Sequence, residues 1–230
     1  EKYYQGPYTA EHNTSYNQLW TPVLPGAAAY IELSVPAEAR TSVVLRLTSV
    51  NRGYRDFFKL GPQAVLKQGS CNIDVVCPLG DDWRQEIKSV AVYSFGGSRL
   101  CTGTMIMDAV GSFRSWFLTA NHCGITTPSV AASMVVYWNF ESPTCGALSG
   151  GSLTDNQAGA TLRGTAAISD FTLVELSAEP NASFGVYYAG WDNSGVAPSN
   201  AIAIHHPNTD EKAISRCTNY LRNTAYLDTS

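Results

Sequence analysis

Charge is scarce in this chain: 15% of its 230 residues are Asp, Glu, Lys or Arg, while 44% are hydrophobic. The formal net charge is −4, and no basic stripe runs along any segment, which excludes a protein that grips a phosphate backbone. No uninterrupted run of about 18 apolar residues is present, so no transmembrane helix is expected. No apolar pattern of helical period persists for three turns, and neither a fixed-period repeat nor a low-complexity tract is found. Coiled coils, solenoids and disordered tails are thereby set aside. Cysteine is absent from residues 1–70, although six follow from Cys71 onward. An initiator Met and a signal peptide are also missing. The chain starts at Glu1 and stops at Ser230 after a strand-like stretch, so both ends read as cut.

What remains is rich in Gly, Ser, Thr and Tyr, a composition that suits a β-rich globular protein. Short strand candidates recur between turn residues after Cys71: 87–95, 101–108, 115–120, 133–140, 161–168, 171–176, 184–190 and 201–205. This rhythm argues for a sandwich or barrel. Before the cysteines, 29–35 and 42–50 also read as short strands, which makes residues 1–68 a small β-rich leading segment ahead of a stapled domain at 69–230. The joint between them, Leu66-Lys67-Gln68-Gly69-Ser70, is of the accessible kind that proteases cut. Cleavage around Lys67, Gln68 and Gly69 is the expected processing event. An even number of cysteines in such a chain points to disulfides and an oxidising, extracellular compartment.

The most informative stretch is Trp116-Phe117-Leu118-Thr119-Ala120-Asn121-His122-Cys123-Gly124. An apolar strand ends in Thr-Ala and delivers a histidine at its tip, beside a cysteine whose disulfide could pin the backbone. A general base needs such a fixed position. Downstream, in Ile168-Ser169-Asp170-Phe171-Thr172-Leu173-Val174-Glu175-Leu176, one acid opens an apolar strand, where it can be buried against a partner and orient a histidine. The order His122 then Asp170 fits a His–Asp–Ser triad. His205-His206-Pro207 invites a metal reading, but adjacent histidines on an extended chain point to opposite faces, so a structural role is expected. No cofactor or metal is expected.

Thr119-Ala120-Asn121-His122-Cys123 resembles the Thr-Ala-x-His-Cys motif of chymotrypsin-like serine proteases. Within them, the chain resembles the bacterial secreted lysyl endopeptidase precursors. The matching stretches include Gly69 to Pro78, Cys101-Thr102-Gly103-Thr104, Phe117 to Gly124, Val135 to Asn139, Ser169 to Leu176, Ala189-Gly190-Trp191-Asp192 and Ala201 to Asn208. A weaker match at 19–50 resembles the pro-segment of the same precursors. The resemblance implies an all-β, chymotrypsin-like double β-barrel, secretion as a zymogen, and hydrolysis of protein or peptide substrates. It implies His122 as general base, Asp170 as its orienting acid, and disulfides Cys77–Cys145 and Cys101–Cys123. It gives Cys71 a bridge to a cysteine near the end of the domain. Cys217 has no recognised counterpart, and pairing of Cys71 with Cys217 stays open. Trp191 would border the substrate cleft, with a core or surface role as its alternative. Beyond the substrate, the expected partner is the chain's own pro-segment, and a monomer is expected.

One departure is decisive. A Gly-Ser-Ser-Gly-Ser-Pro-like nucleophile motif is missing, and Leu148-Ser149-Gly150-Gly151-Ser152 lies in the wrong order, between His122 and Asp170. The second barrel is therefore expected to be incomplete and this chain by itself inactive. Lysine preference rests only on the suitability of Lys67 for self-processing. The competing reading is a secreted pseudoprotease that keeps the fold and binds without catalysis.

Overall fold

The computed structural model describes residues 3–52 and 69–222. Ten strands carry the fold: β1 (Ile73–Asp74), β2 (Val90–Phe95), β3 (Arg99–Ile106), β4 (Trp116–Thr119), β5 (Val135–Tyr137), β6 (Asn156–Ala158), β7 (Ala160–Ala166), β8 (Phe171–Leu176), β9 (Ala201–His205) and β10 (Ala213–Cys217). Two short helices, α1 (Arg84–Ile87) and α2 (Pro128–Ala132), join them. Seven strands form one antiparallel sheet in the order β6-β5-β2-β3-β4-β8-β7, and β1-β10-β9 form a second. The larger sheet curls into a half-barrel, as a chymotrypsin-like barrel fold requires.

The period of two decides what each strand buries. Tyr93 and Phe95 of β2, Met105 of β3, Phe117 of β4 and Val174 of β8 all turn into the half-barrel and belong to one core cluster. There Phe117 packs edge-on against Tyr93 and Trp138, at 5.7 and 5.9 Å between ring centroids. Tyr93 directs its hydroxyl to Thr119 Oγ1, 2.8 Å away, and Thr119 donates to the Thr102 carbonyl at 2.9 Å. Burial pushes the Tyr93 phenol far above its ordinary pKa, so it acts as a neutral strut under the end of β4. The alternate residues of β2 and β5, Val92, Val135 and Tyr137, face outward. They are buried as well, with Phe140 and Leu153, and the half-buried Trp20 and Val23 of the leading segment pack against them. The Val23 amide donates to the Tyr137 hydroxyl at 3.1 Å.

Several sequence expectations need correction. Residues 29–35 and 42–50 form no strand, and much of their apolar surface is exposed, Tyr30 at 99% and Val44 at 82%. Their alternation is right for a strand, but a ladder needs a partner edge, and the structure gives them none among the described residues. The described part of the leading segment is accordingly not β-rich: its regular elements are two single 3₁₀ turns. Lys67 and Gln68 lie outside the described residues; Gly69 is exposed and its carbonyl accepts the Asn72 amide. The strand expected from residue 87 starts at Val90, because the Lys88 and Ser89 amides turn back to the Gln85 and Glu86 carbonyls and close α1. At 184–190, Asn181 caps a 3₁₀ turn and Gly185 takes φ 62°, so only Ala189 reaches a strand, bridging Ile106. Strands β1, β6 and β10 lie outside the strands the sequence predicts, since the two or three residues of β1 and β6 carry too little periodicity to stand out, and β10 alternates poorly.

Both disulfides form. Cys77–Cys145 has Cα atoms 4.7 Å apart, and Cys101–Cys123 has them 6.1 Å apart. The first closes a separation of 68 residues, worth about 4 kcal/mol by loop entropy. It works beside the buried carboxylate of Asp74, which accepts hydrogen bonds from Ser142 Oγ and the amides of Gly146 and Leu148. Cys71 and Cys217 are free and exposed and do not pair with each other.

Candidate active site

Strand β4 ends at Thr119, and the next residues, Asn121–Cys123, form a single 3₁₀ turn closed by Gly124 at φ 100°. Only a glycine takes that conformation freely. The turn lifts His122 clear of the barrel mouth, while Cys123 is tied back to Cys101 on β3. Asp170 comes from the neighbouring strand pair. Strands β7 and β8 form a hairpin with the turn 167–170, and β8 is hydrogen-bonded to β4 with Leu118 opposite Leu173 and Thr119 opposite Thr172. That register brings the start of β8 alongside the end of β4. Asp170, the last turn residue, sits at φ 48°, a left-handed conformation that Asp tolerates better than most residues.

The two side chains meet. His122 Nδ1 lies 2.6 Å from Asp170 Oδ2, and the His122 amide donates to Asp170 Oδ1 at 2.8 Å. The carboxylate thus grips both the ring and the backbone of one residue. Those bonds hold the Asp170 carboxyl below its usual pKa, the His122 amide contributing most, then the imidazole. With Nδ1 engaged by a carboxylate, Nδ1 is the protonated nitrogen and Nε2 is left as the basic one.

One part of the expectation fails: Asp170 is not buried. The side chains of His122 and Asp170 are 72% and 52% exposed. The reason is position. Asp170 stands on a hairpin tip whose neighbours Ala167, Ile168 and Ser169 are all exposed, and no described element lies over it. Hydrogen bonds rather than packing hold it in place.

The remaining sequence candidates lie apart from this pair. Trp191 donates from Nε1 to the Met107 carbonyl at 2.9 Å, which ties it to the far end of β3 rather than to the dyad. Ser149 Oγ bonds the Ala147 carbonyl, and Ser152 Oγ faces Thr154 Oγ1, both within their own loop. His205 and His206 do point different ways. His205 Nε2 meets Ser215 Oγ at 3.1 Å, while His206 is buried, with Nδ1 on the Asp210 carbonyl and its ring stacked on Phe140. Cys101, His122 and Cys123 cluster within 4.8 Å, but both sulfurs belong to the disulfide, so neither is a thiolate able to ligate a metal.

Sequence reasoning missed a set of hydroxyls around the dyad. Asn121 Nδ2 donates to Thr165 Oγ1 at 2.7 Å, Thr165 Oγ1 lies 2.7 Å from Thr172 Oγ1, and Thr172 reaches the Ile125 carbonyl at 3.5 Å. These residues are far apart in sequence, and only the pairing of Thr165 with Thr172 across the hairpin assembles them.

A β half-barrel carrying a His–Asp pair at adjacent strand ends is the scaffold of chymotrypsin-like hydrolases. Comparison with known proteins sharpens this. The model of the lysyl endopeptidase C-terminal domain matches residues 66–229. A lysyl endopeptidase of Pseudomonas aeruginosa is 31% identical over 221 residues, covering 86% of this chain. The chain belongs to the lysyl endopeptidase family. It spans 45% of that relative's length. No helix among the described residues is long and apolar enough to cross a membrane.

Proposed function

We propose that this chain supplies the general base and its orienting acid to a secreted serine endopeptidase that cleaves peptide bonds at lysine, made as a precursor with a leading pro-segment. The observation that supports it best is the His122–Asp170 contact of 2.6 Å in a chain of this family. Nε2 of His122 would take the proton of a serine hydroxyl as its oxygen attacks the scissile carbonyl, then return it to the leaving amine. Asp170 would keep the ring in the tautomer that leaves Nε2 bare and stabilise the imidazolium that forms. Ser149 and Ser152 are engaged within their own loop and are not assigned the role of nucleophile.

The test is hydrolysis of matched lysyl and arginyl peptide amides by the secreted protein, with His122→Ala and Asp170→Asn beside it. We expect cleavage at lysine, with a loss in kcat of about 10⁶-fold for His122→Ala and about 10⁴-fold for Asp170→Asn. Absence of hydrolysis and of labelling by a serine-directed fluorophosphonate in the whole secreted protein would instead favour the non-catalytic binding module.

A further inference from the structure

We propose that Asn121, Thr165 and Thr172 are positioning residues that set the alignment of Asp170 on His122; the catalytic meaning of this rests on the protease reading, the positioning itself does not. Strand β7 is the last in the sheet order, so among the described residues it has a neighbour on one side only, β8. The turn it leads into has no buried residue: Ala167, Ile168, Ser169 and Asp170 are all exposed, Ile168 at 101%. A hairpin tip without packing at a sheet edge swings easily. The dyad nevertheless needs its acid held to within about half an ångström.

Within the turn itself, the Asp170 amide bonds the Ala167 carbonyl at 3.2 Å, which shapes the tip but does not anchor it. Two links tie the hairpin to the His122 turn. One is the carboxylate's own set of bonds, to the His122 ring and amide and, more weakly, to the Asn121 amide. The other runs through side chains away from the reacting atoms. Asn121 donates across 2.7 Å to Thr165, the next-to-last residue of β7. Thr165 also stands opposite Thr172 in the ladder, hydroxyl to hydroxyl. Thr172 is fully buried and its hydroxyl lies 3.5 Å from the Ile125 carbonyl, just past the His122 turn. The chain Asn121–Thr165–Thr172–Ile125 therefore leaves the turn, crosses both strands of the hairpin and returns to the same loop. It brackets Asp170 between two fixed strands. With a hydrogen-bonding group at residue 121, the residue before the histidine becomes part of the orienting apparatus rather than a spacer.

The primary test uses the chain itself and needs no activity. The Asp170 carboxyl is titrated by carbon NMR, and the hydrogen bond from His122 Nδ1 is followed through its nitrogen shift, in wild type, Asn121→Leu, Thr165→Val and Thr165→Ser. In Asn121→Leu and Thr165→Val the Asp170 titration should move up toward the ordinary carboxylate range, and the Nδ1 signal should lose its hydrogen-bonded shift. Thr165→Ser keeps the hydroxyl and should behave as wild type. Thermal midpoints should stay nearly unchanged in all three, because Thr165 is exposed and Asn121 only half-buried. In the secreted protein, the same two disruptive variants should lose about tenfold or more in kcat with KM unchanged. Wild-type Asp170 titration in both disruptive variants overturns the proposal. So does a change that Thr165→Ser shares, or one that merely tracks a fall in thermal midpoint. Failure of the protease reading would show separately, as absent hydrolysis in wild type with the NMR differences intact.

Discussion

A buried imidazole makes His206 a probe of how far burial can hold a base neutral. Its Nδ1–H donates to the Asp210 carbonyl at 2.8 Å, and desolvation, with the Lys212 charge nearby, lowers its pKa from 6.5 to about 3. Between those values the unfolded chain binds a proton that the folded chain refuses. Stability from this residue is therefore complete above about pH 6.5 and declines as the pH falls toward 3. Urea unfolding of wild type at pH 7.5 and pH 4.5 should show a drop that is smaller in His206→Gln by about 1–3 kcal/mol. An equal drop in both would mean that His206 takes up its proton without unfolding. Asp170 carries the opposite charge but the same direction of loss: its lowered carboxyl favours the folded state above the ordinary carboxylate range and ceases to do so as the pH falls through it.

Among the elements, β3 shows how tightly the strand beneath the site is fitted. Gly103 faces β4, and a Cβ there would run into the Phe117 ring and the Leu118 carbonyl. Gly103 has an ordinary backbone conformation, so the requirement for glycine is steric and comes from the neighbouring strand. Gly103→Ala should destabilise the protein by about 1–3 kcal/mol through displacement of Phe117 from between Tyr93 and Trp138, read as a lowered urea midpoint with altered near-ultraviolet circular dichroism. Because Phe117 is two residues from Thr119, the same variant should shift the His122 resonances in a proton–nitrogen spectrum. An unchanged midpoint would show that the ring has room to rotate away. Serving the same strand end, the Cys101–Cys123 bridge and the hydroxyl bonds of Thr119 fix where β4 stops. The position of His122 is thus built from neighbouring strands, more than from its own turn.

At the scale of the molecule, both faces of the β2–β5 region are buried, one by the half-barrel interior and one by the leading segment. Trp20 and Val23 cover Val92, Val135 and Tyr137, and Trp20 also approaches the β2–β3 hairpin tip at Gly97. Trp20→Ala should expose this outer face, costing about 1–3 kcal/mol and raising binding of an apolar dye, whereas Tyr137→Phe should cost about 1 kcal/mol by removing the hydroxyl that the Val23 amide and Ser94 bond. Dye binding unchanged in Trp20→Ala would show that other residues cover the face. Beside the second sheet, the buried Lys212 ammonium donates to the carbonyl of Ile87, which packs with Val75 and Ile214, at 2.8 Å. Burial lowers the Lys212 pKa to about 8, against the opposing pull of the Glu141 carboxylate 3.8 Å away.

The chain order His122–Asp170, the Thr-Ala-x-His-Cys signature and the punctuation of short strands are local facts. They sufficed for a β-rich barrel class, because period-two burial acts over a few residues, while the two bridged cysteine pairs and the roles of His122 and Asp170 came from the family resemblance that the signature carries. Three things were beyond their reach. Strands at 29–35 and 42–50 had the right alternation, yet a strand exists only when another edge accepts its hydrogen bonds. Burial of Asp170 could not be read, because it depends on what lies above the hairpin tip rather than on Asp170 or its neighbours. The Asn121–Thr165–Thr172 link joins residues up to 51 positions apart, and nothing but the β4–β8 and β7–β8 registers brings them together. The sequence by itself determined which groups could act as base and acid. Only the tertiary structure decided their alignment and exposure, because both depend on hydrogen bonds and neighbours contributed by strands distant along the chain.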